Sequence, residues 1–391
     1  MADIQITRDT GPAEIETFLA SGRLAKECVK IPNSLTNSGA LGVSLAVTQL
    51  LLTWARRNED PVLRTNLNAG DDEEYKAFTG GAHGLAAAFF ADRAEATDGS
   101  DIRRPLLESA RERIRAMHES NLSNTARGSI IEFILVQGAK AEFHGALYSK
   151  APSAAELLDR EKHGHLVQSP TAMNALLSSC AKSLSLESKL KGLLEQRNAP
   201  LGQLLHESFR NTAEHAYYPA NGGRFLPNFR CVRIGMPYLN REHVSRISVS
   251  SPESGAIAST YFHRIAGKQS DEQRSRIMFF EISVLDSGAG FASTISQANT
   301  DARRSDRDAV IQCFGKHSSA KPSRNSGLGL NRILKEVHAL DGFLRVRTNT
   351  VEAFYAPVDG LRPDSSPEMY VHGGLSPVEG TLLTVVLPVG Y

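Results

Sequence analysis

The alternation of apolar and polar positions divides the chain into a first part of short strands and helices and a longer second part. Apolar runs in ECVKIP and PVLRTNL predict two strands, and the amphipathic stretch between them predicts a capped helix. Helical patterns follow at residues 71–95 and 104–119, and GSIIEFILVQ and AKAEFHGALY predict further strands. This order predicts a small N-terminal α/β domain over residues 1–150.

The rest of the pattern is helical at first and becomes rich in strands after residue 217. Residues 151–184 are predicted to form a helical connector. Strand patterns in FRCVRIGMPYL, RIMFFEISVLD, FLRVRTN and GTLLTVVLP, with the helical pattern GLGLNRILKEVHAL, predict a second domain over residues 185–391. The predicted fold class is therefore α/β of the α+β kind, in two domains, as is usual for a chain of 391 residues.

Composition narrows the function classes without selecting one. The 44 basic and 43 acidic residues leave a net charge of +1, so nothing global favours binding to nucleic acid or to an anionic membrane, and we expect neither as a partner. The most apolar run, residues 41–55, is too short and too polar to cross a bilayer, and MADIQITRDT lacks the features of a secretory signal. The 4 cysteines have no paired spacing. We expect a cytoplasmic protein.

The first of three motifs with candidate chemistry is ESFRNTAEH, which begins at Glu207. On a helix, Glu207, Asn211, Glu214 and His215 fall within roughly a third of the circumference, because successive residues turn by about 100°. Apolar positions such as Phe209 lie on the opposite side. One face is therefore polar and able to bind a ligand. The alternative is an ordinary surface helix whose polar face is solvated.

The second motif, VLDSGAGF, places Asp286 at the end of a predicted strand and Gly288 and Gly290 after it. A buried carboxylate at that position can accept a hydrogen bond from an exocyclic amine, and glycines let a planar base approach the backbone. Asp-Ser-Gly is also a common turn, and this alternative stays open.

The third motif, NSGLGLNRILKEV, places Gly327, Leu328 and Gly329 where a loop becomes a helix. Free backbone N–H groups at a helix start form a phosphate-binding cradle, although such glycines also occur at ordinary packed helices. The spacing is neither that of a Rossmann fold nor that of a Walker A loop. A polar loop precedes it, in which Lys316 is able to reach a polyphosphate, and Thr381 begins the last strand.

The order of these motifs resembles that of the GHKL ATPases, the family of gyrase B subunits, heat-shock chaperone ATPases, histidine kinases and MutL-type repair proteins. The resemblance covers the C-terminal half. It implies the Bergerat fold, an α/β sandwich with helices on one face of a mixed sheet, and it implies ATP and Mg²⁺ as ligands. The N-terminal half stays unassigned, although the strand–helix–strand pattern of residues 26–67 is faintly similar to a STAS-like regulatory domain.

The resemblance also implies roles for single residues. Asn211 would coordinate Mg²⁺, and Glu207 would polarise the attacking water or hydroxyl group. Asp286 would recognise the adenine amine, supported by Thr381. The other positions implied around the nucleotide are Glu214, His215, Gly288, Gly290, Lys316, Gly327, Leu328, Gly329 and Leu330. The stretches from Asn211 to Asp286 and from Gly329 to Gly380 are longer than in a minimal kinase domain, so we expect insertions there.

Three functions are compatible with these motifs. The leading hypothesis is Mg²⁺-dependent ATP hydrolysis that drives closure of a lid and regulates a protein partner. The second is phosphotransfer by a histidine kinase or an anti-sigma-type Ser/Thr kinase that uses the same pocket. The third is a nucleotide-gated interaction module without turnover in bacterial signalling or defence. The expected partners are ATP, an unidentified protein and, as an alternative, a second copy of the chain.

Overall fold

The α+β fold class is confirmed, because the described residues form a parallel sheet, a large antiparallel sheet and a small antiparallel pair of strands, together with helices. The computed structural model describes residues 3–35, 42–119, 126–127, 130–137, 158–159, 166–167, 169–184, 201–212, 227–240, 252–268, 276–291, 305–315, 329–357 and 369–389. The predicted strand AKAEFHGALY lies outside these ranges. In this part of the chain, no helix combines the length and the apolar character needed to span a membrane.

The N-terminal sheet has four short parallel strands that follow one another in chain order. The strands are β1 (Ile4–Gln5), β2 (Val29–Lys30), β3 (Val62–Arg64) and β4 (Arg93–Glu95). The helices are α1 (Pro12–Ala20), α2 (Val43–Arg57), α3 (Asp72–Thr79), α4 (Ala82–Phe90) and α5 (Arg103–Glu119). The predicted strand–helix–strand of residues 26–67 is therefore confirmed. The helical pattern of residues 71–95 divides into two helices at Gly80 and Gly81 and ends in β4.

The second sheet has nine strands, in the order β14-β13-β12-β15-β11-β9-β6-β5 with β10 paired to β11. Its strands are β5 (Ala126–Arg127), β6 (Ile130–Gln137), β9 (Asn228–Gly235), β10 (Tyr238–Asn240), β11 (Arg276–Asp286), β12 (Phe343–Asn349), β13 (Val351–Tyr355), β14 (Tyr370–His372) and β15 (Val378–Pro388). Every described pairing in this large sheet is antiparallel, whereas the resemblance implies a mixed sheet.

The large sheet begins earlier in the chain than the predicted domain boundary. Strand β6 lies within residues 1–150, yet it pairs along its whole length with β9. Both of its faces are apolar, with Phe133 on one side and Ile134 on the other, as is typical of a strand that is covered twice. Among the described residues of the predicted helical connector, 151–184, the helix is limited to Pro170–Ser183, and β7 (Leu158–Asp159) pairs with β8 (Leu166–Val167) before it.

Helices cover the large sheet on both faces. The other helices among the described residues are α6 (Pro170–Ser183), α7 (residues 201–212), α8 (Pro252–Gly267), α9 (Asp306–Phe314) and α10 (Gly329–Ala339). Helices α6, α7, α9 and α10 share a core with alternate sheet residues such as Val232 and Ile282. The opposite face carries Cys231 and Leu285, which share a core with α2, α4 and α5. Helix α8 also packs there, against Phe279, and it belongs to the first expected insertion.

The implied arrangement with helices on one face is therefore wrong, because α6, α7, α9 and α10 cover one face and α8, with the N-terminal helices, covers the other. The other face is apolar as well, and apolar surface of that size is stable only when it is removed from water. The N-terminal unit and α8 provide that cover.

Candidate functional site

A row of polar side chains crosses four strands at one end of the large sheet. Arg230 in β9 pairs with Asp286 in β11, which pairs with Thr381 in β15. Thr381 in turn pairs with Thr348 in β12. Directly opposed residues of antiparallel strands share a face of the sheet. Because Val284 lies in the core beneath α7 and α10, alternation places the whole row on that face, and all four side chains are buried.

Asp286 is the acid of this row and has an unusual environment. One carboxylate oxygen, Oδ1, accepts a hydrogen bond of 2.8 Å from the Gly288 N–H group. Burial raises the pKa of Asp286 to about 6, although this N–H group and the charges of Arg230 and Arg56 oppose the rise. Near neutral pH the group is therefore a largely ionised, desolvated carboxylate, which is a strong acceptor for an N–H donor of a ligand.

Gly380 lets β15 approach Asp286 closely. Its φ is +69°, a left-handed conformation that side chains disfavour, and a Cβ atom there would lie 1.8 Å from the Asp286 carbonyl oxygen. The next residue, Thr381, directs its hydroxyl to within 3.0 Å of the Thr348 hydroxyl. The glycine that precedes Thr381 is thus required for the packing of the polar row.

The turn after Asp286 is held against the end of β12. Asn349 donates its Nδ2 to the Ala289 carbonyl at 2.9 Å, and the Phe291 N–H group donates to Thr348 Oγ1 at 3.2 Å. Gly290 has a φ of +79°, and a Cβ atom there would lie 2.3 Å from Asn349 Oδ1. Gly290 of D-x-G-x-G therefore has a structural role in shaping the turn, whatever the turn binds.

Helix α7 carries Glu207, whose carboxylate is buried rather than solvated. The residue is only 5% exposed. Its Oε1 accepts a hydrogen bond of 2.8 Å from Gln203, and its Oε2 lies 3.0 Å from Nη2 of Arg210. The apolar side of the helix, including Phe209, is fully buried against the sheet. The alternative of a solvated polar face does not describe Glu207.

The first and third motifs meet at Glu207. A Cβ atom on Gly329, the first residue of α10, would lie 2.8 Å from Glu207 Oε2. A side chain on Gly329 would require the Glu207 carboxylate to move away from the start of α10. The N-terminus of α10 and the polar face of α7 therefore form one continuous surface.

Asn211 lies one helical turn beyond Glu207, and its Nδ2 atom is buried without a hydrogen-bond partner among the described residues. The Oδ1 and Nδ2 atoms of an asparagine exchange places when the side-chain amide is rotated by 180°, so the rotated group would direct Oδ1 to a cation. The described residues contain no cluster of three or more His, Cys, Asp or Glu side chains for a metal. Mg²⁺ is commonly held by few protein ligands together with phosphate oxygens, and a single unpartnered amide fits that donor set.

A contact between α7 and β9 joins the two ends of the site. The Phe209 ring lies 5.6 Å from Cζ of Arg230, whose neighbour in register is Asp286. Leu330 packs against the core on this face. The structure therefore assembles eight of the predicted residues in one region, namely Glu207, Asn211, Asp286, Gly288, Gly290, Gly329, Leu330 and Thr381. The other predicted residues lie outside the described residues, namely Glu214, His215, Lys316, Gly327 and Leu328.

Sequence reasoning missed Arg230, Thr348 and Asn349. Alternation with Val232 in β9 and with Val346 in β12 could have placed the first two on the helix-covered face. Their position beside Asp286 depends on the strand register, which alternation does not determine.

Comparison with known proteins adds no relative. No protein-family model, curated protein or solved structure matches this chain. The functional argument therefore depends on the geometry of the site and on the resemblance in its motifs.

Proposed function

We propose that this protein is a Mg²⁺-dependent ATPase of the GHKL class, with ATP bound between the polar row of the large sheet and helices α7 and α10. One observation carries the proposal. The buried Asp286 carboxylate lies in register with Thr381, on the sheet face where α7 and α10 bring Glu207 and Gly329 together.

The adenine end would use Asp286 as an acceptor for the 6-amino group of the base. A purine with a 6-oxo group would place an acceptor opposite this carboxylate, leaving a buried charge without a donor. Sites built around such a hydrogen bond reject analogues that lack it. We therefore expect ATP to bind more tightly than ITP.

The phosphate end would use the start of α10, where backbone N–H groups favour an anion. Asn211 would hold Mg²⁺ there, and the ion, when bound, supplies positive charge that offsets the phosphate oxygens. Glu207, one turn from Asn211, would accept a proton from the water that attacks the terminal phosphorus, as the bond from that phosphorus to ADP breaks. Gln203 and Arg210 would hold the carboxylate in orientation.

Glu207→Gln provides the test, with ATP binding measured by calorimetry and phosphate release followed in parallel. The isosteric amide keeps the shape of the site but cannot take a proton. We expect ATP affinity to change by less than about threefold and phosphate release to fall by about 100-fold or more. Glu336→Gln, a half-buried glutamate further along α10, is the control and should retain both. Retained turnover in Glu207→Gln would remove this residue from the proposed role.

Nucleotide-gated binding without turnover is the main alternative, and one observation favours it. Oε1 of Glu207 accepts a hydrogen bond from Gln203 and Oε2 lies 3.0 Å from Nη2 of Arg210, so both oxygens already face protein donors rather than an attacking water. ATP binding without phosphate release from the wild type would support this alternative. A labelled phosphoprotein after incubation with γ-labelled ATP would instead support the kinase. A cytoplasmic location and a protein partner belong to each of these proposals.

A further inference from the structure

Helix α2 of the N-terminal unit lies along the back of the large sheet and bonds to its strands. The side-chain amide of Gln49 donates hydrogen bonds through Nε2 to the carbonyl groups of Arg347 and Glu379, at 3.2 and 3.1 Å. One turn later, Thr53 accepts a hydrogen bond of 3.0 Å from the Glu379 N–H group. The helix is therefore tied to the strand that carries Thr381 at its front face.

Buried charges hold the other ends of the N-terminal helices. The Gly42 N–H group, at the start of α2, donates to Glu281 at 3.3 Å, and the Ala82 N–H group, at the start of α4, donates to Glu132 at 3.1 Å. Arg233 of β9 lies between the two carboxylates and pairs with both. These contacts give the N-terminal unit a defined position on the sheet, because buried charges are costly unless paired.

Arg56, at the end of α2, reaches the turn that follows Asp286. Its Nη1 donates to the Ser287 carbonyl and, at 2.9 Å, to Glu379. Its Nη2 donates at 3.3 Å to Ser287 Oγ and to the Pro227 carbonyl. Ser287 Oγ also accepts a hydrogen bond of 2.8 Å from the Phe229 N–H group. One guanidinium thus joins the end of β11 to the start of β9.

Strand alternation explains why this contact bears on the site. Asp286 faces the front of the sheet, and Ser287, the next residue, faces the back, where α2 lies. Arg56 therefore contacts the backbone directly after Asp286 from the back face of the sheet, opposite the polar row. Its planar fork fits the Ser287 and Pro227 acceptors in fixed directions, which a lysine ammonium would not do.

We propose that Arg56 is a positioning residue of the nucleotide site, through which the selectivity for adenine depends on the docking of the N-terminal unit. This inference rests on the proposed function. It assigns to the N-terminal half a role in the same site, because movement of α2 away from the sheet would break the hydrogen bonds of Arg56 to the turn that follows Asp286. A bound adenine would, by reciprocity, favour the docked position of α2.

The test measures dissociation constants of the full chain for Mg²⁺ with ATP and with ITP. Arg56→Gln should weaken ATP binding by about tenfold, the effect of a misaligned hydrogen bond to a charged group, and should change ITP binding little. Arg56→Lys should recover only part of the selectivity. Arg57→Gln is the matched control, because the neighbouring arginine bonds to the Pro377 carbonyl and not to the turn. It should match the wild type.

A second variant and a ligand-free readout separate selectivity from folding. Arg56→Gln combined with Glu379→Gln removes both members of the ion pair, so no unpaired carboxylate is left. It should unfold near the wild-type temperature and still lose selectivity. Without nucleotide, hydrogen exchange at the Phe229 and Ser287 amides should be faster in Arg56→Gln and unchanged in Arg57→Gln.

The outcomes distinguish the inference from the function on which it rests. Wild type that binds neither nucleotide would overturn the proposed function and the inference together. Selective wild-type binding that persists in Arg56→Gln and in the double variant Arg56→Gln, Glu379→Gln would overturn the inference alone. Unchanged exchange at the two amides in Arg56→Gln would overturn it whatever the nucleotides do.

Discussion

Replacement of Asp286 with asparagine is expected to stabilise the fold at neutral pH while it removes adenine recognition. Burial raises the pKa of Asp286 to about 6 in the folded protein, from an ordinary value of 3.8. The folded state therefore binds the proton of the Asp286 carboxyl group more tightly than the unfolded chain does. Stability from this group is fully present below pH 3.8, is lost as the pH rises to about 6, and stays lost above that.

The two pKa values, 3.8 and about 6, differ by about 2, and each unit of pKa corresponds to about 1.4 kcal/mol. Ionised Asp286 thus lowers the free energy of unfolding by up to about 3 kcal/mol near neutral pH. Asparagine is nearly isosteric, can accept the Gly288 hydrogen bond and carries no charge. The variant should gain most of that energy, which for a chain of this size raises Tm by a few degrees.

The assay is urea unfolding of wild type and Asp286→Asn at about pH 7.5 and at about pH 4, where the advantage of the variant should nearly vanish. Calorimetry at the higher pH should show that the variant has lost ATP binding. Asp9→Asn, which replaces an exposed aspartate in the turn before α1, is the control and should match the wild type at both values. A variant no more stable than wild type at the higher pH, or stabilised equally at both, would refute the reasoning.

Two further predictions concern packing. Gly380→Ala should lower the free energy of unfolding by about 3 kcal/mol or more and abolish ATP binding, because its Cβ atom would overlap the opposing backbone. Gly374→Ala is the control: its φ is similar but its surroundings are open, so the loss should be only about 1 kcal/mol. Equal losses in urea unfolding would contradict the packing argument. Arg347→Met should lower the free energy of unfolding by about 3–5 kcal/mol, because it leaves Glu16 buried without its bidentate partner. Lys76→Met removes an exposed ion pair instead, and this control should leave the unfolding midpoint unchanged. A small effect of Arg347→Met would show that α1 is not held by this ion pair.

Local pattern was sufficient for the helices and strands that carry the candidate site. The apolar run of β11 ends at Asp286, and the spacing of apolar residues in α10 begins after Gly329, so both elements could be predicted from their own residues. The residue types that bear on chemistry were also visible, since Glu207 and Asn211 share one helix face. These features depend on neighbours along the chain, which is the information that periodicity contains.

Only the tertiary structure decided which distant elements meet. It placed β6 in the large sheet, aligned Arg230 and Thr348 with Asp286, and docked α2 so that Arg56 reaches Ser287. Alternating patterns state which side chains share a face but not which strand is adjacent or in what register. Those choices follow from the joint burial of surfaces that lie far apart in sequence, and no single segment of the chain encodes them.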